Sequence, residues 1–243
     1  MSTSRNLHAM ASLVSRGSVK TSVKLLIGYR STAPWLTSNP DTDMLSLLIR
    51  VLLPRVAHTP GIGYFWSGCT QTVKRGLEIL DIALVDTDTR EAFALRAVQT
   101  LLGKVRLDRT PECVAHIDKD SLIRHYLLAL YNYKKQLLEL SNIIVADAFF
   151  SKSTLVEGLR ILGFELVSRF RDDARLKYLY TGEQKHGRGR PKTFDGIVDL
   201  ANLRNDVFQC EELSWDKQTV TICSAVVYAV SLKRKVNRAT ASK

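Results

Sequence analysis

IIVADAFFSKSTLVEGLRILGFELVSRF, residues 143–170, carries the reading of the fold. An apolar run, Ile143 to Ala146, ends on one carboxylate, Asp147. A helical pattern then opens near Ser151 and stops at Gly163, and FELVSRF (164–170) alternates like a strand. Strand, crossover helix and strand make a parallel βαβ unit. Open sheets of this kind gather functional groups at the carboxyl ends of their parallel strands, and Asp147 sits at such an end. Two roles stay open for it here, a helix N-cap or a metal-binding carboxylate.

Outward from this unit, residues 118–141 predict the longest helix. Asp118 or Asp120 is its cap, and Leu122, Tyr126, Leu130, Tyr133, Leu137 and Leu138 form its apolar stripe. LEILDIALVD (77–86), TDTR and EAFALRAVQT (91–100) read as a hairpin. A hairpin followed by a βαβ unit implies an α/β mixed sheet with flanking helices. Ahead of it, HTPGIGYFWSG (58–68) combines turn chemistry with an aromatic cluster, read as packing beside a turn. Residues 1–57 stand apart: residues 1–40 contain no acid, the first Glu is Glu78, and no regular element is expected. TVTICSAVVYAVSLKRKV (219–236) reads as strand.

The bulk composition is that of a soluble globular chain, 45% hydrophobic and 24% charged, but the formal net charge is +11. Such an excess points to a polyanionic partner, nucleic acid first. The apolar run around Ile222–Leu232 is too short to span a bilayer, so no membrane partner is expected. The four cysteines, Cys69, Cys113, Cys210 and Cys223, lie apart without metal-ligand spacing and read as reduced thiols. KHGRGRPK (185–192) is extended and basic like the core of an AT-hook. Lys185, Arg188, Arg190 and Lys192 suit a narrow minor groove of AT-rich DNA, with Arg169, Arg171 and Arg175 upstream as further DNA contacts. Tyr178 and Tyr180 are either stacking or core residues.

Three segments taken together resemble a bacterial insertion-sequence transposase of the DDE superfamily: GIGYFWSGCTQTVKRGLEILDIALVDTDTREAFALRAVQT (61–100), VADAFFSKSTLVEGLRILGFELVSRFRDDARLKYLYTG (145–182) and GRGRPKTFDGIVD (187–199). AVVYAVSLKRKV (225–236) adds a weaker match. The resemblance implies a ribonuclease H-like core over 58–182. A basic loop and the start of a β-rich insertion follow over 183–243, and 1–57 is an atypical segment. It also implies DNA cleavage and strand transfer at transposon ends in the cytoplasm, on the nucleoid, with Mg²⁺ held by two aspartates and a glutamate, and a homodimer in the parent family. Asp147 matches the second aspartate, as catalytic residue and metal ligand.

The first aspartate has no counterpart. The corresponding span, LIRVLLPRVA (48–57), lacks any acid where the family has Asp-x-Ser-Phe-Ile-Pro-Lys-Ser-Gly. Reading the third base of each codon with the first two of the next permits that motif, with the Asp codon at Leu48–Ile49. The segment is therefore read as out of frame. The glutamate belongs well beyond SLKRK (231–235), where the chain stops, so a truncated, catalytically inactive protein is expected. A rewired acid set using Asp43 or Asp86 beside Asp147, or a non-enzymatic AT-rich-DNA-binding protein using GRGRPK, are the alternatives.

Overall fold

The computed structural model describes residues 24–28, 44–54, 60–68, 70–86, 89, 91–101, 109–170, 174–184, 189–215, 218–232 and 234–242. In chain order, the strands of the first half are β1 (Lys24–Gly28), β2 (Met44–Pro54), β3 (Gly63–Ser67), β4 (Thr72–Asp86) and β5 (Ala92–Gln99). Helices α1 (Leu122–Asn132) and α2 (Lys134–Leu140) lead to β6 (Ile143–Ala146), α3 (Ser153–Leu162) and β7 (Glu165–Arg169). The rest is strand: β8 (Leu176–Leu179), β9 (Phe194–Ile197), β10 (Gln209–Trp215), β11 (Gln218–Ala229) and β12 (Arg234–Ser242). The expected mixed α/β sheet is present, and its last part is strand-rich.

The βαβ unit forms as the sequence implies. β6 and β7 are parallel in the register Ile143↔Glu165 to Ala146↔Ser168, with α3 between them in the chain. Gly163 ends α3 with φ 88°, a left-handed conformation in which a side chain is strained. The hairpin also forms, β4 running antiparallel to β5. β2 lies between these units, antiparallel to β4 along its whole length and parallel to β6 over Ser46–Leu48. The local order is thus β4–β2–β6–β7, with β3 and β5 both on the outer side of β4. β1 and β12 continue the sheet from β7 to β11, β8 and β9, and β10 pairs with β11.

Side-chain alternation gives the sheet two unlike faces. Leu48, Leu80, Ile82, Ile144, Ala146 and Leu166 join α1 and α3 in one core. The opposite face of β2 carries Ile49, Val51 and Leu53, 36–38% exposed.

Four expectations need correction. Residues 44–54, expected to lack regular structure, are a central strand. The rest of 1–57, apart from β1, lies outside the described residues. The single helix over 118–141 is broken at Tyr133, whose φ of −110° and ψ of 10° leave the helical region. Its start is Ser121, with no side-chain cap, while Asp118 Oδ1 instead accepts from the Asp120 amide at 2.8 Å in the preceding turn. Cys210 and Cys223, read as thiols, are joined by a disulfide. The β10–β11 register places them directly opposite each other, a proximity that spacing alone did not reveal.

Candidate functional site

Asp147 follows the last residue of β6 and is exposed. Its backbone is extended (φ −75°, ψ 177°), and its Oδ1 accepts from the Phe149 amide at 2.9 Å, capping the short 3₁₀ turn Ala148–Phe150. The Ser168 hydroxyl donates to its carbonyl at 2.8 Å, tying the strand end to β7. The capping role left open by the sequence is therefore occupied, by one of two carboxylate oxygens.

Register defines what surrounds it. Leu48 pairs with Ala146, so the next residue of β2, Ile49, comes level with Asp147. On its other side Ile49 pairs with Asp81 of β4. Ser168 pairs with Ala146, so Arg169 is also level with Asp147. Asp81, Ile49 and Arg169 on β4, β2 and β7 thus come level with Asp147, one residue beyond the paired part of β6. The isoleucine stands between the two acids.

On the helix-side face, the next residue of β2 makes a different site. Arg50 Nη1 lies 3.2 Å from Glu78 Oε2, and Glu78 is fully buried. Tyr126 donates its hydroxyl to Glu78 Oε1, as does Thr100 at 3.2 Å. Burial, reinforced by the hydrogen bond to Glu78, holds the Tyr126 phenol far above its ordinary range. The Arg50 guanidinium also lies 4.0 Å from the centre of the Phe149 ring, and Lys152 Nζ lies 4.1 Å from it. This network fixes Phe149, two residues from Asp147. It was not legible in the sequence, because a lone Glu in an alternating strand gives no sign of which face it takes.

The other expected residues are dispersed. Arg175, Arg190 and Lys192 lie around β8 and β9, separated from β7 by β1, β12 and β11. Arg190 is exposed, and Lys192 pairs with Asp195 at 2.7 Å with its ammonium over the Tyr180 ring. Lys192, and then Arg204, lower the Asp195 carboxyl below the usual range. The Gln184 side chain exchanges two hydrogen bonds with the Lys192 backbone, 2.8 and 3.0 Å, closing the basic loop at its base. Arg171, Lys185 and Arg188 lie outside the described residues. Tyr178 is core, 3% exposed; of the aromatic cluster, Phe65 packs as expected at 4% exposure, whereas Tyr64 and Trp66 are 74% and 52% exposed.

As for metal, no three His, Cys, Asp or Glu side chains converge among the described residues. Two-metal chemistry needs several acidic ligands around ions about 4 Å apart, and Asp147 beside Ile49 does not supply them. Asp86 pairs with Met44, the first residue of β2 and five positions before Ile49, and its Oδ1 accepts from the Thr89 amide at 3.2 Å. It is a turn residue remote from Asp147, and Asp43 lies outside the described residues. No helix among the described residues is long and apolar enough to cross a membrane. Compared with protein-family models, curated proteins and solved structures, the chain finds no match.

Proposed function

We propose that this chain derives from a DDE-type transposase and binds DNA without cleaving it. The observation that carries the reading is the register around Asp147. A hairpin (β4, β5), a central strand (β2) antiparallel to it, and two further strands parallel to β2 (β6, β7) follow the order of a ribonuclease H-like core. In that arrangement the two catalytic aspartates sit side by side on the central strand and its parallel neighbour. On this reading Asp147 is the second aspartate, and Ile49, which the register brings level with it, replaces the first. The shifted reading frame permits an Asp codon at Leu48–Ile49, the same position along β2.

The net charge of +11 and the loop closed by Gln184 support DNA as the partner, with Arg188 and Arg190 as contacts. Binding of a labelled duplex should weaken steeply with salt. It should survive Asp147→Ala and fall for the double change Arg188→Ala, Arg190→Ala. Incubation of supercoiled plasmid with Mg²⁺ should leave it intact. Nicking that Asp147→Ala abolishes would overturn the inactive reading in favour of a working nuclease. The variant Ile49→Asp should gain Mn²⁺ binding, read by calorimetry, and lose it again with Asp147→Ala.

A further inference from the structure

Resting on that reading and extending it, we infer that the outer face of the β3–β4 hairpin is a stacking platform for unpaired nucleotides. Tyr64 pairs with Arg75 and Trp66 with Val73, so all four share one face. Tyr64, Trp66 and Val73 are 74%, 52% and 59% exposed, while Phe65, between the two aromatics, turns inward and is 4% exposed. Single exposed aromatics are ordinary, but two on one face beside an exposed valine form a patch. Their spacing, two strand rises or about 6.8 Å, offers successive flat surfaces along a line.

Charge selects the occupant. Arg75 shares the face of the two aromatics, and the chain as a whole carries a formal net charge of +11. Aromatic faces beside an arginine, on a chain of this charge, suit bases and their phosphates, and stacking accepts any base. An apolar protein partner gains nothing from that positive charge.

The platform is also held firmly. Gly76 joins it to the sheet, where an added Cβ would come 2.4 Å from the Leu53 carbonyl oxygen, so strand and hairpin are in close contact. Alternation along β4 puts Val73, Arg75 and Asp81 on one face, and register carries that face to Ile49, which comes level with Asp147. β2 runs on past the end of β6 toward the hairpin. A strand lying on Tyr64 and Trp66 therefore continues toward the end of β6 that bears Asp147.

The test uses the full chain with labelled oligothymidylate and a labelled duplex of equal length. Substituting Trp35→Phe and Trp215→Phe leaves Trp66 as the reporting indole, and oligothymidylate should quench its emission. Tyr64→Ala with Trp66→Ala should weaken single-strand binding about tenfold or more and leave duplex binding within about twofold. Trp66→Phe, which keeps a flat ring and guards against misfolding, should retain most of the affinity. Unchanged oligothymidylate binding by the double variant, or an unquenched Trp66 in a chain that binds, overturns the platform. So does a change in sedimenting mass with no change in oligonucleotide affinity, which would assign the face to a protein contact. Loss of duplex binding by the unmodified chain would instead sink the DNA-binding reading, and is scored separately from Trp66 quenching.

Discussion

Arg50 and Glu78 show how much can hang on one pair of residues. Glu78 is fully buried, and its one cationic partner among the described residues is an arginine whose side chain is 14% exposed. Removing one member of such a pair leaves an uncompensated buried charge, which costs about 3–5 kcal/mol. Arg50→Leu should lower the denaturation midpoint accordingly, and adding Glu78→Gln should recover part of the loss. His125 makes a second, pH-dependent case. Burial depresses its pKa, only partly offset by a hydrogen bond with the Gln99 backbone, and its Nε2 has no hydrogen-bond partner among the described residues. The unfolded chain therefore binds the proton more readily than the folded one. Stability is fully present above the ordinary histidine value of about 6.5 and is lost as pH falls below it. Melting temperature should drop between neutral and mildly acidic pH in the native chain, and His125→Leu should flatten that slope. Neither residue announced itself in the sequence: Arg50 sits in a stretch with no visible pattern, and His125 looks the same on a helix surface or in a core.

At the scale of elements, strong local signals were legible and cooperative ones were not. The strands flanking α3, the glycine that ends it and the β4–β5 hairpin follow from alternation, periodicity and turn residues. β2 does not, because LSLLIRVLL (45–53) is apolar on both faces and gains its register only from β4 and β6. The break at Tyr133 was equally hidden, since Leu130, Tyr133 and Leu137 keep the helical spacing across it. The packing of α1 on α3 gives a sharp test. A Cβ on Gly158 would come 2.3 Å from Leu127 Cδ1, and Leu127 is fully buried. Gly158→Ala should therefore destabilise by about 1–3 kcal/mol, even though alanine favours helix, because the core has no room to yield. Combining it with Leu127→Ala should cost less than the two single changes summed, as measured by chemical denaturation.

Over the whole molecule, the helices cover one side of the sheet and leave apolar residues of β2 and β3 on the other partly in water. The apolar run 143–146 was enough to place Asp147 at a strand end. The residues level with it needed pairing partners from other strands, which no linear pattern contains. The length of β2 has one more outcome. β6 accompanies it only through Leu48, so along 49–54 the main-chain groups facing away from β4 meet no strand partner among the described residues. Backbone left in that state is a ready template for a further strand. Alternate amides of 49–53 should exchange with deuterium faster than their neighbours bonded to β4. An added peptide that slows them would enter as a new rung between β2 and the turn that Asp147 begins.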